Sequence, residues 1–259
     1  MTPISSLANP TIKHAAALLT QHRIRKKSGQ TVLEGVHLIE AAIKQNFTIK
    51  QIIIGQSALS HPEVAGLIEQ IAQSIILATD AVYKQIRSLG TGVDIMAIVE
   101  IPTPALGVIT SDCLILDGLQ DLGNIGTLLR TASAVGISTI ISTTGTAHLW
   151  SPKCLRAGMG AHFSLAIFEQ VDYEAILQKV KIPLYATSSH TDKVIYQHNL
   201  TQPIAWVLGH EGQGVSEIFL RTATAIALPQ PNGQESLNVG VAGSVCFYEM
   251  LRQRQFAQH

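Results

Sequence analysis

The chain is short of charge. Asp, Glu, Lys and Arg make up only 14% of its 259 residues, well below the usual quarter, and 18 basic residues balance 18 acidic ones. Net charge therefore gives no case for a polyanionic partner, and a surface this poor in charge is expected to be covered in part, most simply by a second copy of the chain. Only three cysteines occur, Cys113, Cys154 and Cys246, far apart and in apolar or small surroundings. With no CxxC pair, buried free thiols in a reducing compartment are expected rather than a disulfide or a zinc site. The ten histidines show no metal-ligand spacing. No apolar run reaches the roughly 18 residues of a membrane span, and the N-terminus lacks a charged-then-apolar signal pattern, so a soluble cytoplasmic protein is expected. GxxxxGK[ST], GxGxxG and GxSxG are all missing, which argues against P-loop, dinucleotide-binding and serine-hydrolase chemistry. One absence is local. Residues 1–33 contain Lys13, Arg23, Arg25, Lys26 and Lys27 but no Asp or Glu, a pattern that fits either a phosphate backbone or a solvated helix face.

What is present is 46% hydrophobic, enough for a sizeable core, and patterned as alternating strands and helices. Asn9-Pro10 opens a helix expected to run to Arg25. Strands at Thr31–Gly35, Ile49–Gly55, Ser74–Ala78 and Ile95–Glu100 alternate with helices at 36–45, 63–70 and 81–88. Pro102 and Pro104 then punctuate the chain, and the boundary between a domain of residues 1–105 and one of 106–259 is placed there. Beyond it, apolar runs at Cys113–Gly118, Ser138–Thr143, Phe163–Phe168, Pro183–Ser188, Ile204–Gly209 and Thr224–Pro229 alternate with helices at 125–135, 153–157, 173–180, 215–220 and 237–254. Fully apolar strands between helices indicate an α/β fold with a mostly parallel sheet covered on both faces.

In such sheets the loops after the strands carry function. Three stand out. "LDGLQDLGNIGTLLR" leads into a helix in which Asn124 suits an N-cap and Arg130 is a lone cation seeking an anionic partner. "WVLGHEGQG" crowds Gly209, Gly212 and Gly214 around His210 and Glu211, as tight backbone geometry or close ligand approach requires. Glu211 is the natural partner for Arg130. The third loop runs from Leu228-Pro229 to Ser236-Leu237-Asn238, where the last helix begins.

Together these loops resemble the three motifs of the SpoU/TrmH-type RNA ribose 2'-O-methyltransferases of the SPOUT class. The matching residues are Asn124, Gly126, Arg130 and Ala132, then Leu208, Gly209, Glu211, Gly212 and Gly214, then Leu228, Pro229, Ser236, Leu237, Asn238, Val239, Val241 and Ala242. "NPTIK", "VLEGVHLIEAA" and "IKQIIIG" are similar to the family's N-terminal RNA substrate-binding domain, and "SPKCLRAGMGAHFSLAI" to a further family segment with Lys153, Arg156 and Gly160 in place. The resemblance implies a C-terminal SPOUT domain with a parallel sheet and a trefoil knot, a small N-terminal α/β domain, and a homodimer. It also implies S-adenosylmethionine-dependent methylation of an RNA ribose, with rRNA favoured. A tRNA enzyme and a non-catalytic RNA-binding relative are the alternatives. By the same resemblance the cofactor falls to Thr187, Leu208, Gly209, Gly212, Leu228, Leu237 and Ala242, and the chemistry to Asn124, Arg130, Glu211, Ser236 and Asn238.

The sequence departs from the family pattern at Leu122, where proline is common, at His210, where a small or amide residue is commoner, and at Gly158, which replaces a frequent serine. In the last helix Leu237, Val241, Val245, Tyr248 and Leu251 form one apolar stripe, widened by Val239, Ala242, Cys246 and Met250. A helix apolar almost all round is buried on more than one side.

Overall fold

The computed structural model describes residues 2–71, 74–232 and 236–256. The chain gathers into two compact units. One is Met1–Pro102 together with Trp150–Phe163, and the other is Thr103–Leu149 together with Ser164–His259.

The first unit opens with α1, Pro10–Thr20, where Asn9 Oδ1 accepts from the N–H groups of Thr11 (2.9 Å) and Ile12 (3.4 Å) and Pro10 occupies the first turn. The single helix expected to Arg25 is broken. Gln21 is extended (φ −116°, ψ 107°), and α2, His22–Ser28, starts afresh. The side chain of Arg25 is buried and donates to the Leu18 carbonyl at 2.6 Å, an acceptor that an unbroken helix would spend on the N–H of residue 22. After α2 come β1 (Gln30–Glu34), α3 (Val36–Lys44), β2 (Ile49–Gly55), α4 (Pro62–Glu69), β3 (Ile75–Ala78), α5 (Asp80–Ile86) and β4 (Ile95–Glu100). The sheet order is β1-β4-β2-β3, with β4 antiparallel to both neighbours and β2 parallel to β3. Ile12, Leu18, Val32, Ile53, Val82 and Met96 join helices and sheet in one core.

The second unit begins with β5 (Cys113–Asp117), α6 (Leu122–Ala134) and β6 (Thr139–Thr143). The chain then leaves for α7 (Pro152–Gly158), which belongs to the first unit. There Thr31 Oγ1 donates to the Trp150 carbonyl (2.8 Å), Arg156 pairs with the buried Glu34 (3.1 Å), and the rings of Phe47 and Phe163 meet edge-on at 4.8 Å. A 3-10 turn at Ala161–Ser164 delays the next strand, expected from Phe163, until β7 (Ala166–Val171). The unit is completed by α8 (Tyr173–Lys179), β8 (Leu184–Thr187), β9 (Ala205–Gly209), α9 (Glu217–Leu220), β10 (Thr224–Ile226) and α10 (Val239–Phe256).

Its sheet is parallel throughout, in the order β10-β8-β9-β5-β6-β7. β9 shows why so apolar a strand was needed. Ala205 and Val207 join the core that includes Ile176 and Phe219, while Trp206 faces Phe247 (6.1 Å between ring centroids) and donates Nε1–H to Met250 Sδ (3.4 Å). Both faces are therefore covered. Helix α10 lies close on α6 and β9 because Gly243 has no side chain: a Cβ there would come within 2.5 Å of both Leu128 Cδ2 and Leu208 Cδ1. Ser244 Oγ also donates to Thr131 Oγ1 (3.1 Å) across the same seam. At its far end α10 is held by Arg254, which bonds Asp112 (3.0 Å) and the Leu200 carbonyl (3.0 Å).

All three cysteines are buried and free, and burial pushes the thiols of Cys113 and Cys246 up to about 12. Among the described residues no cluster of His, Cys, Asp and Glu could hold a metal ion, and no helix is long and apolar enough to cross a membrane.

Candidate active site

A cavity of about 740 Å³ opens at the carboxyl ends of β8, β9 and β10. Three segments wall it. Thr187, Ser188, Ser189 and His190 follow β8, Gly209 to Val215 follow β9, and Leu228, Gln230 and Ser236 to Val239 bridge β10 to α10.

The glycine loop is folded back on its own strand. His210 and Gly214 form a one-residue antiparallel bridge, with the Gly214 N–H donating to the His210 carbonyl at 2.8 Å. Gly214 has φ +73°, which glycine alone adopts without strain. Gly209 is needed for a different reason. A Cβ there would collide with the backbone of Gly214 and Val215. The side chain of His210 completes the turn, its Nδ1 accepting from the N–H groups of Gly212 (3.0 Å) and Gln213 (3.3 Å). His210, a departure from the family pattern, is thus a loop-forming residue. Beneath the loop sits Asp117, buried at the end of β5. It accepts from Ser216 N–H (2.7 Å) and from Tyr173 Oη (2.9 Å), and so clamps the loop exit to the sheet. Sequence reasoning passed over Asp117. The signal was a carboxylate closing an otherwise apolar strand.

Glu211 takes a partner the sequence did not suggest. Its carboxylate accepts from the backbone N–H groups of Gln120 (3.1 Å) and Asp121 (3.0 Å) and from Asn124 Nδ2 (3.4 Å), at the start of α6. Burial pushes the Glu211 pKa up, but the N–H groups of Asp121, Glu211 itself and Gln120, with the Asn124 amide, outweigh it and hold the group below the ordinary carboxylate value. The positive end of the α6 dipole favours the same charge. The expected N-cap, Asn124, is not the cap. Asp121 caps α6 by accepting from the Asn124 N–H at 2.7 Å, and this starts the helix three residues earlier than the sequence suggested.

The released Asn124 amide reaches across to α10. Asn238 Nδ2 donates to Asn124 Oδ1 at 2.9 Å, while Asn238 Oδ1 caps α10 by accepting from the Val241 N–H at 3.2 Å. A carboxylate at one end and a helix N–H at the other thus orient both amides. Glu211, Asn124 and Asn238 form one bonded chain, and Ser236 lines the cavity beside it. Arg130 stands apart. It is exposed on α6, lines no part of the cavity, and makes no ion pair or hydrogen bond among the described residues. Of the residues expected to hold a cofactor, Thr187, Gly209, Gly212, Leu228, Leu237 and Ala242 line the cavity. Leu208 does not. It is fully buried with its side chain toward α10.

A family model for the SpoU rRNA methylase family matches residues 112–248, more than half of the chain. The chain belongs to the SpoU family. Residues 9–97 match a model of the MRM3-like substrate binding domain. Along nearly its whole length the protein is similar to the 23S rRNA (guanosine(2553)-2'-O)-methyltransferase RlmP of Bacillus subtilis, at 28% identity over 96% of this chain and 99% of that one. A crystal structure of an RNA 2'-O ribose methyltransferase superposes with a TM-score of 0.81 and 29% identity, covering 98% of this chain and 99% of the other. The AdoMet-bound rRNA methyltransferase of Sinorhizobium meliloti, 23% identical, shares the fold of this SpoU member at a TM-score of 0.86, with 98% of each chain covered.

Proposed function

We propose that the protein transfers a methyl group to a ribose 2'-hydroxyl of 23S-type rRNA, with the cavity at β8, β9 and β10 holding S-adenosylmethionine. The observation that carries this is the convergence of the three strand-end loops on one cavity, with the Glu211–Asn124–Asn238 chain along its edge. The cavity suits the cofactor in size, falling within the roughly 300–1,000 Å³ of small-molecule sites. It suits it in chemistry as well. Ile226, Leu228 and Val215 offer apolar walls for a purine, and the backbone of 209–214 and the hydroxyls of Thr187 and Ser188 offer polar partners for its edge and a ribose. The trefoil threading implied by the resemblance would lay residues 236–238 beside 209–214, and these segments share the cavity.

When bound, the cofactor supplies the methyl group. The chain's own residues orient the acceptor. Asn238 and Ser236, at the cavity edge, fix the reacting geometry, and Glu211 acts through Asn124 to fix Asn238. Arg130, with no ion pair or hydrogen bond among the described residues, is assigned to the RNA: its guanidinium donates to the target phosphate and to the 2'-oxygen, and the hydroxyl proton leaves to a phosphate oxygen or to water. Arginine's high pKa argues against a standing general base. The intact chain of site residues favours catalysis over a purely RNA-binding role. Tritiated methyl from S-adenosylmethionine should enter 23S rRNA and not tRNA, and nuclease mapping should find it on a ribose. Label on a base atom, or in no RNA, overturns the assignment.

We further infer that the protein works as a homodimer through α10. Leu237, Val241, Val245 and Tyr248 follow one another at helical spacing and are exposed, while Gly243, Cys246, Phe247 and Met250 on the opposite side are buried. An exposed apolar stripe on a helix already packed on its other side fits a second copy, and low overall charge agrees. The Val241→Glu, Tyr248→Glu variant is expected to sediment at half the wild-type mass. A wild-type protein that is itself monomeric would sink the dimer.

A further inference from the structure

We infer that the exposed face of α2 is a phosphate-contacting surface that follows the RNA backbone, using Arg23, Lys26 and Lys27. This rests on the proposed RNA substrate and goes further, because it names the face and the mode of contact.

The argument starts from spacing. Positions 23, 26 and 27 are related by i, i+3 and i, i+4, so on α2 their side chains leave from one side. All three are exposed. Like charges at these spacings destabilise a helix. The usual relief is an interspersed acid, and none occurs before Glu34. Three cations elsewhere in this unit have acidic partners, Lys50 with Glu100 (2.7 Å), Arg87 with Asp94 (2.8 Å) and Arg156 with Glu34 (3.1 Å), whereas Lys13, Lys44 and Lys84 stand singly on other helices, so it is the clustering on one face that sets α2 apart. Arg23, Lys26 and Lys27 have no ion pair among the described residues. The bland explanation, cations favoured at a helix C-terminus, covers Lys26 and Lys27 in the last turn but not Arg23 in the first.

The helix is also held in place. Arg25 is turned inward onto the Leu18 carbonyl, Gly29 closes the helix in the left-handed conformation (φ 64°), and its carbonyl accepts from the Ile101 N–H at 2.7 Å. The charged face is presented on a braced element, so little ordering entropy is lost when it binds. Its partner is anionic and repeating. An RNA backbone meets that description, and α2 lies within residues 9–97, the segment matched to a substrate-binding domain. Three cations without base-reading side chains between them give a sequence-independent contact, so the choice of nucleotide falls to other residues.

The test is the salt dependence of binding to transcribed 23S rRNA, measured by filter retention for the wild type and for the Arg23→Gln, Lys26→Gln, Lys27→Gln variant. Each phosphate-neutralising cation removed should reduce the slope of log K against log salt by about 0.7–0.9, so the slope of the triple variant should fall by about two or more and its binding should weaken roughly tenfold or worse at low salt. Lys50→Gln, which removes a cation already paired with Glu100, should leave the slope unchanged. Glutamine is a good helix former, so the melting temperature should hold. An unchanged slope in the triple variant overturns the inference even if the wild type methylates rRNA. A reduced slope in a protein that transfers no methyl supports the surface and removes the enzyme reading instead. Loss of binding to phosphatidylglycerol vesicles with an unchanged RNA slope would assign the face to a membrane and overturn the inference.

Discussion

Replacing Arg130 with alanine is expected to lower methyl transfer by roughly 10²- to 10³-fold while S-adenosylmethionine binds as before. The size follows from what a single oriented cation or hydrogen-bond donor contributes at a reacting centre. The selectivity follows from position. Arg130 lines no part of the cavity, and the Glu211 carboxylate is already engaged by Gln120, Asp121 and Asn124. Removing an exposed side chain that makes no hydrogen bond or ion pair among the described residues should change stability by no more than about 0.5 kcal/mol. Arg130→Lys should not restore the rate, because a point charge cannot hold phosphate and hydroxyl in the planar fork that arginine offers. Single-turnover transfer together with cofactor calorimetry separates the outcomes. Near-normal turnover in the alanine variant removes Arg130 from the chemistry. Joint loss of cofactor binding would place it in the cavity wall.

The second large effect is expected at Gly209. Gly209→Ala should weaken cofactor binding by roughly 100-fold or more, about 2.8 kcal/mol. The added Cβ would meet backbone atoms of Gly214 and Val215, and backbone has no rotamer with which to yield. The loop must shift, and with it go the His210–Gly214 bridge and the Ser216 N–H bond to Asp117. Gly66→Ala, in α4 and away from the cavity, is the control. No atom lies within 4 Å of its Cβ and its φ is not positive, so binding should not change. Calorimetric titration of both variants checks this. Equal affinity in the two would mean that the turn at 209–214 does not shape the cofactor site.

These expectations show which parts of the molecule could be read from its sequence. The apolar run of β9 flanked by helices was enough to specify a buried parallel strand, and each of the three polar loops did fall at a strand end. Period and punctuation are local, so they survive in a sequence. What was not legible depended on choices between equivalent partners. Asp121 and Asn124 both qualify as helix caps three residues apart, and only the fold decides that the first caps α6 and frees the second for Asn238. Glu211 could satisfy its charge on a guanidinium or on peptide N–H groups, and the loop after β9 brings it to the latter. The break at Gln21 arises because Arg25 turns inward to a carbonyl, which the 3.6-residue period cannot encode. His210 reads as a surface residue because a ring accepting two backbone N–H bonds looks, in sequence, like any other histidine beside a glycine.

The excursion of Trp150–Phe163 has a consequence for how the two units were assembled. Each unit is made of chain that passes through the other's sequence. The first unit is not a bead on a string that could be trimmed at residue 102. Cut there, it loses the aromatic and aliphatic side chains of Trp150, Leu155 and Phe163, and the buried Glu34 loses Arg156. A catalytic fragment made by the same cut keeps those groups with nothing from the first unit to cover them. Recombination between relatives at that single junction would pair the first unit's N-terminal residues with a foreign 150–163 segment, while the second unit's core stays whole. An exchange that keeps the first unit's core intact must carry the 150–163 segment along with the N-terminal residues, because that core is built from both.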